Sequence, residues 1–99
     1  MQSFYPERFE RDMACTETEW LQWLPRAVGP HACQVSGTSA QVAIGEGELR
    51  LTWQVMPPRV IALLRLPRLR LDFAFSRLDD AQRHAFMKRF DLYTQRGGG

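Results

Sequence analysis

Residues 47–75 read GELRLTWQVMPPRVIALLRLPRLRLDFAF, and the fold depends on where this run turns. Its first part alternates: Leu49, Leu51, Trp53 and Val55 fall on one side of an extended chain, and Glu48, Arg50, Thr52 and Gln54 on the other. That period of two belongs to a half-buried strand. Its last part alternates again, with Leu69, Leu71, Phe73 and Phe75 sharing a side, and between the two RVIALLRL is nearly continuous in apolar residues. Proline fixes φ and has no N–H to give to a sheet. The simplest reading therefore puts turns at Pro57-Pro58 and Pro67-Arg68, and makes the run three strands of an antiparallel meander.

The register of such a meander can be written out. Proline cannot take the positive φ of a tight type I′ turn, so four-residue loops are expected. They pair Val55 with Val60, Trp53 with Ala62 and Leu51 with Leu64, then Leu66 with Leu69, Leu64 with Leu71, Ala62 with Phe73 and Val60 with Phe75. Every pair is apolar, as partners sharing a buried face should be. On the reverse face the same register sets Arg50 beside Arg65 and Arg65 beside Arg70, with Arg59 beyond and Ile61 and Leu63 as an apolar centre. Like charges directly opposite destabilise a sheet. Such a row suits an anion or an acidic partner, because guanidinium groups grip carboxylates and phosphates through two parallel hydrogen bonds. The plainer alternative is a solvated row, relieved by Asp72 beside Arg70 or covered by Glu7, Glu10, Glu17 and Glu19.

Outward from this run, ACQVSG and SAQVAIG read as two short strands after His31. Before them, Thr16 and Glu19 form a capping-box pattern ahead of Trp20, Leu21, Trp23 and Leu24, which predicts a helix over 17–24 that Pro25 kinks or stops. Phe4 to Ala14 is a charged arm in which Phe9 and Met13, spaced i,i+4, suggest a short helix. After the run, Asp79, Asp80 and Gln82 mark a helix start, and Phe86, Phe90 and Tyr93 make one apolar stripe, predicting a helix over 80–95. The expected fold class is α+β. It comprises an antiparallel four- to five-stranded meander sheet, a short helix before it and a longer C-terminal helix packed on one face. Residues 1–99 form a single domain, with 1–15 as an arm and 97–99 as a tail.

Composition narrows the function classes. Residues 1–49 hold three arginines against seven acids, and residues 50–99 hold ten basic residues against four acids, giving opposed ends to a chain whose net charge is +2. Arginine supplies 12 of the 13 basic residues, for which an arginine-rich genome is a sufficient explanation. No stretch of about 18 apolar residues occurs and no signal-peptide pattern opens the chain. A cytoplasmic protein with no membrane partner is expected. Cys15 and Cys33 are too few for a disulfide framework and lie outside any metal-binding spacing, and His31 and His84 do not complete one. No catalytic triad order, P-loop, dinucleotide-binding or zinc-protease motif is present, so no catalytic residue, cofactor or metal is assigned. An RNA-recognition module is disfavoured, since its bases stack on exposed sheet aromatics, whereas Trp53, Phe73 and Phe75 share the side of the leucines. Only weak electrostatic nucleic-acid binding remains as an alternative.

The chain ends TQRGGG. Gly97 can end a helix in the left-handed conformation, but Gly98 and Gly99 need another explanation. The tail resembles those of ubiquitin-like and sulfur-carrier proteins, and the resemblance implies a terminal glycine activated by adenylation. A strand leads into the tail in that family, whereas a helix is expected here, and the strand-strand-helix opening of the family is missing. The expectation favoured by the residues is a non-catalytic protein-interaction or adaptor domain. It would act through Arg50, Arg59, Arg65 and Arg70 around Ile61 and Leu63, with Trp20 and Trp23 as partner anchors. Its partner would be an unidentified, acidic protein or a second copy of the chain; carrier action through Gly98 and Gly99 is the alternative.

Overall fold

The computed structural model describes residues 4–94. In chain order it contains β1 (Arg8–Met13), α1 (Glu17–Val28), β2 (Cys33–Ser36), β3 (Ser39–Ile44), β4 (Gly47–Ile61), β5 (Leu64–Ser76) and α2 (Asp80–Thr94). The strands form one antiparallel sheet in the order β1-β5-β4-β3-β2, so β2 to β5 are a meander and β1 returns to pair with β5. This is the α+β architecture expected. Gly98 and Gly99, on which the carrier alternative depends, lie outside the described residues.

One sheet face carries the core. Leu49, Leu51, Trp53, Leu69, Leu71, Phe73 and Phe75 are buried there with Val42 and Ile44 of β3, which is the alternation in the sequence made physical. Both helices lie over this face: Trp20 of α1 meets Trp53 edge-on, and Phe90 of α2 meets Phe73. Each helix begins with a reciprocal cap. Thr16 Oγ1 accepts from Glu19 N–H while Glu19 accepts from Thr16 N–H, and Asp79 and Gln82 repeat the exchange for α2.

The structure corrects three expectations. First, the N-terminal arm holds a strand rather than a helix. Phe9, Arg11 and Met13 face the core side, opposite Phe73, Leu71 and Leu69. Arg11 concealed this alternation, because a charged residue occupies a core-side position. It is paired there with Asp91 of α2, which also accepts a 2.7 Å hydrogen bond from the Tyr5 hydroxyl. Second, α1 runs through Pro25 to Val28. Proline deprives the Leu21 carbonyl of its partner, but Leu21 and Pro25 are both exposed, so water can serve that carbonyl.

Third, the long run of residues 47–76 is one hairpin, not three strands. β4 and β5 pair from Glu48 opposite Ser76 to Ile61 opposite Leu64, with Trp53 opposite Leu71 and Val55 opposite Leu69. The chain reverses at Ala62 and Leu63. Pro57 and Pro58 stand against Pro67 at a bulge, where pairing resumes as Arg59 opposite Leu66. Proline is tolerated at bulges and unpaired edges because no ladder donor is needed there. These prolines mark irregularity within a ribbon rather than its ends.

Candidate functional site

The distal half of the β4–β5 hairpin leaves the body of the protein. Pairing of β3 with β4 reaches Thr52, opposite Ser39, and pairing of β1 with β5 stops at Leu69, opposite Met13. From there to the turn, β4 and β5 have only each other, and at about 3.3 Å per residue this two-stranded ribbon reaches roughly 20 Å outward. It accounts for the elongated shape, 47 × 29 × 20 Å.

Ala62, the first residue of the turn, has φ +53°, and Leu63 does not share the positive φ. A positive φ at the first central position alone is the pattern of a type II′ hairpin turn, where glycine is usual. Alanine there costs about 1–2 kcal/mol, so the apex is held by the ribbon below it.

The ribbon is apolar and open to solvent. Of the ten large hydrophobic residues exposed among the described residues, six lie here: Val55, Val60, Ile61, Leu63, Leu64 and Leu66, with Leu63 at the apex fully exposed. The pairing distributes them. Ile61 and Leu64 share one face with Arg59 and Leu66, Val60 shares the other with Arg65, and Leu63 caps the end. Apolar surface gathered in this way on a small protein marks a docking site more often than a scattered set would.

The expected arginine row does not exist. Arg50 stands opposite Ala74, Arg70 opposite Gln54 and Arg65 opposite Val60. Arg70 lies on the uncovered sheet face and pairs with Glu10 of β1 and, at 3.4 Å, with Asp72. Arg68 takes a carboxylate from the same strand, with Arg68 Nη2 2.9 Å from Asp12, whereas Arg59 reaches Asp12 only at 3.9 Å. Neither Arg50 nor Arg65 has an ion pair among the described residues. Of the residues singled out in the sequence, Arg59, Ile61, Leu63 and Arg65 are brought together, on the ribbon tip rather than a sheet face. Arg50 and Arg70 remain on the body.

The tryptophans separate. Trp20 is fully buried between Trp53 and Phe90 and is unavailable as an anchor. Trp23 is half-buried and lines a shallow groove with Gln22, Arg26, Leu92 and Tyr93. On the open sheet face, Arg8, Glu10, Arg50, Thr52 and Asp72 border a wide depression floored by Ala74. The depression mixes charges of both signs, whereas Arg26 is the charged residue lining the groove.

The titratable groups within the body serve packing. Burial, with a smaller contribution from Glu19, pushes the Cys15 thiol up to about 11, and burial also raises Cys33. Neither thiol has the electropositive surroundings that make a reactive cysteine. Among the described residues no group of three or more histidine, cysteine, aspartate or glutamate side chains is placed to hold a metal ion, and no helix is long and apolar enough to cross a membrane.

Sequence reasoning missed Val55, Val60, Leu64 and Leu66 as site residues because it assigned Val55 to the buried face of a first strand and the other three to a buried central strand. The available signal was the trio Pro57, Pro58 and Pro67, which is unsuited to a strand inside a sheet. Comparison with known proteins finds no matching family model, curated protein or solved structure.

Proposed function

We propose that this protein is a non-catalytic interaction module, an adaptor that docks through the tip of its β4–β5 ribbon. The observation that carries this reading is the full exposure of Leu63 at the end of a ribbon whose other exposed residues are largely aliphatic. Burying a leucine or isoleucine side chain is worth about 1.5–3 kcal/mol. A chain that needed these residues for folding would turn them inward, and its core is already closed without them. Arg59 and Arg65 add cationic groups that suit an anionic surrounding. The body is different in kind: Arg11, Arg70 and Arg83 are paired with acids there, and the wide depression on its open sheet face mixes charges of both signs.

Site-specific photocrosslinking in the natural host tests this. A diazirine amino acid in place of Leu63 is expected to give a covalent adduct, while the same group in place of Gln41, exposed on the open sheet face, gives none. Absence of an adduct at position 63, or identical adducts from both positions, would contradict the reading.

A further inference from the structure

We propose that the surface met by the ribbon is an anionic phospholipid membrane, touched peripherally rather than crossed. This rests on the reading of the ribbon as a docking element and names what it docks on.

Three observations select the lipid surface. Apolar residues stand on every side of the tip, with Val60 beside Arg65 on one face, Ile61 and Leu64 on the other and Leu63 at the end. A groove on a protein covers one side of an inserted hairpin, whereas the acyl region of a bilayer surrounds it. Next, no acidic residue occurs from Leu49 through Leu71, and while Arg68 and Arg70 at the ribbon base pair with acids of β1, Arg59 and Arg65 stand toward the tip. Anionic lipid attracts such a segment, with each basic group near the surface strengthening binding about fivefold. Last, the charges stand at a suitable height. Arg65 lies two residues from Leu63 and the Arg59–Leu66 pair three to four, or roughly 7–13 Å back along the strands. Apolar groups of peripheral proteins bury about 5–10 Å into the boundary between headgroups and acyl chains, which leaves these guanidinium groups level with the phosphates.

Other occupants fit less well. Pro57, Pro58 and Pro67 interrupt both ribbon edges, so addition of a partner strand lacks donors where it would begin. Two ribbons laid together would oppose arginine to arginine. On nucleic acid, the foremost residues would be aliphatic groups with nothing to offer a phosphate.

Sedimentation of the full chain with vesicles provides the test. Vesicles of phosphatidylglycerol mixed with phosphatidylcholine are expected to carry the protein down, with at least tenfold weaker binding to phosphatidylcholine alone. Leu63→Asp should weaken binding to the mixed vesicles at least tenfold, and Arg59→Gln and Arg65→Gln about fivefold each, with unchanged circular dichroism. Failure to sediment would overturn the proposal. So would binding that Leu63→Asp leaves intact, which signifies adsorption by charge alone, or preferential binding to a nucleic-acid oligonucleotide of equal charge. A protein adduct from position 63 without vesicle binding would overturn the membrane assignment and leave the docking role standing; loss of both results would overturn both.

Discussion

Asp91 joins three parts of the chain. It accepts hydrogen bonds from Tyr5, before β1, and from Arg11, within β1, while sitting on α2 itself. The Arg11 and Asp91 side chains are 25% and 21% exposed, so the pair is screened only partly, and Tyr5 is buried. Asp91→Ala would leave a half-buried guanidinium and a buried hydroxyl without their acceptor. The expected loss is about 2–3 kcal/mol in urea denaturation at neutral pH. Cys15 gives a pH signature. Its thiol ionises near 9 when exposed and near 11 in the fold, so the unfolded chain loses its proton first and stability declines as pH rises from 9 to about 11. Tyr5, raised mainly by burial and then by Asp91, shifts stability the same way above 10. Cys15→Ala should flatten the part of the decline that begins near 9; an identical decline in both proteins would refute the assignment. None of these contacts could be read in the sequence, because Tyr5, Arg11 and Asp91 meet only after β1 returns to the far edge of the sheet.

At the level of elements, the sequence was most legible where local chemistry decides the outcome. The Thr16–Glu19 and Asp79–Gln82 caps, and the alternation of Leu49 to Trp53 and of Leu69 to Phe75, appear in the structure as their spacing required. It was least legible where two physical readings satisfy one pattern. A three-strand meander pairs apolar residues throughout, and a single long hairpin also pairs Leu49, Leu51, Trp53 and Val55 with apolar partners; the two differ in whether the prolines are turns or a bulge. The bulge also reverses side-chain parity, so Val60 follows Val55 onto the core-side face of the ribbon but beyond the reach of the helices. Its consequence can be measured. Ile61→Asp and Leu63→Asp change residues that bury little in the free protein, so each should alter stability by no more than about 0.5 kcal/mol. A loss of 2 kcal/mol or more in thermal or urea unfolding would show that these residues are buried in the folded protein.

Across the whole molecule, the candidate site was legible in part. Arg59, Ile61, Leu63 and Arg65 were singled out for an apolar centre bordered by arginine, and that chemistry survives on the ribbon tip although its proposed geometry does not. Arg70 was removed from the site by Glu10, which only the unexpected β1 strand could deliver. The charge asymmetry of the chain thereby acquires a spatial meaning: the acids of β1 neutralise arginines at the ribbon base, while Arg65, near the apex, has no ion pair among the described residues. A body closed by its own core and a ribbon free of folding duties make the two separable. The most direct measurement of that separability is thermal unfolding of a chain in which residues 57–67 are replaced by Asn-Gly, a turn suited to join Met56 to Arg68. The expected result is a cooperative transition within a few degrees of the parent's. An unfolded chain, or a transition lowered by tens of degrees, would mean that this segment is a central strand of the sheet and would contradict the account.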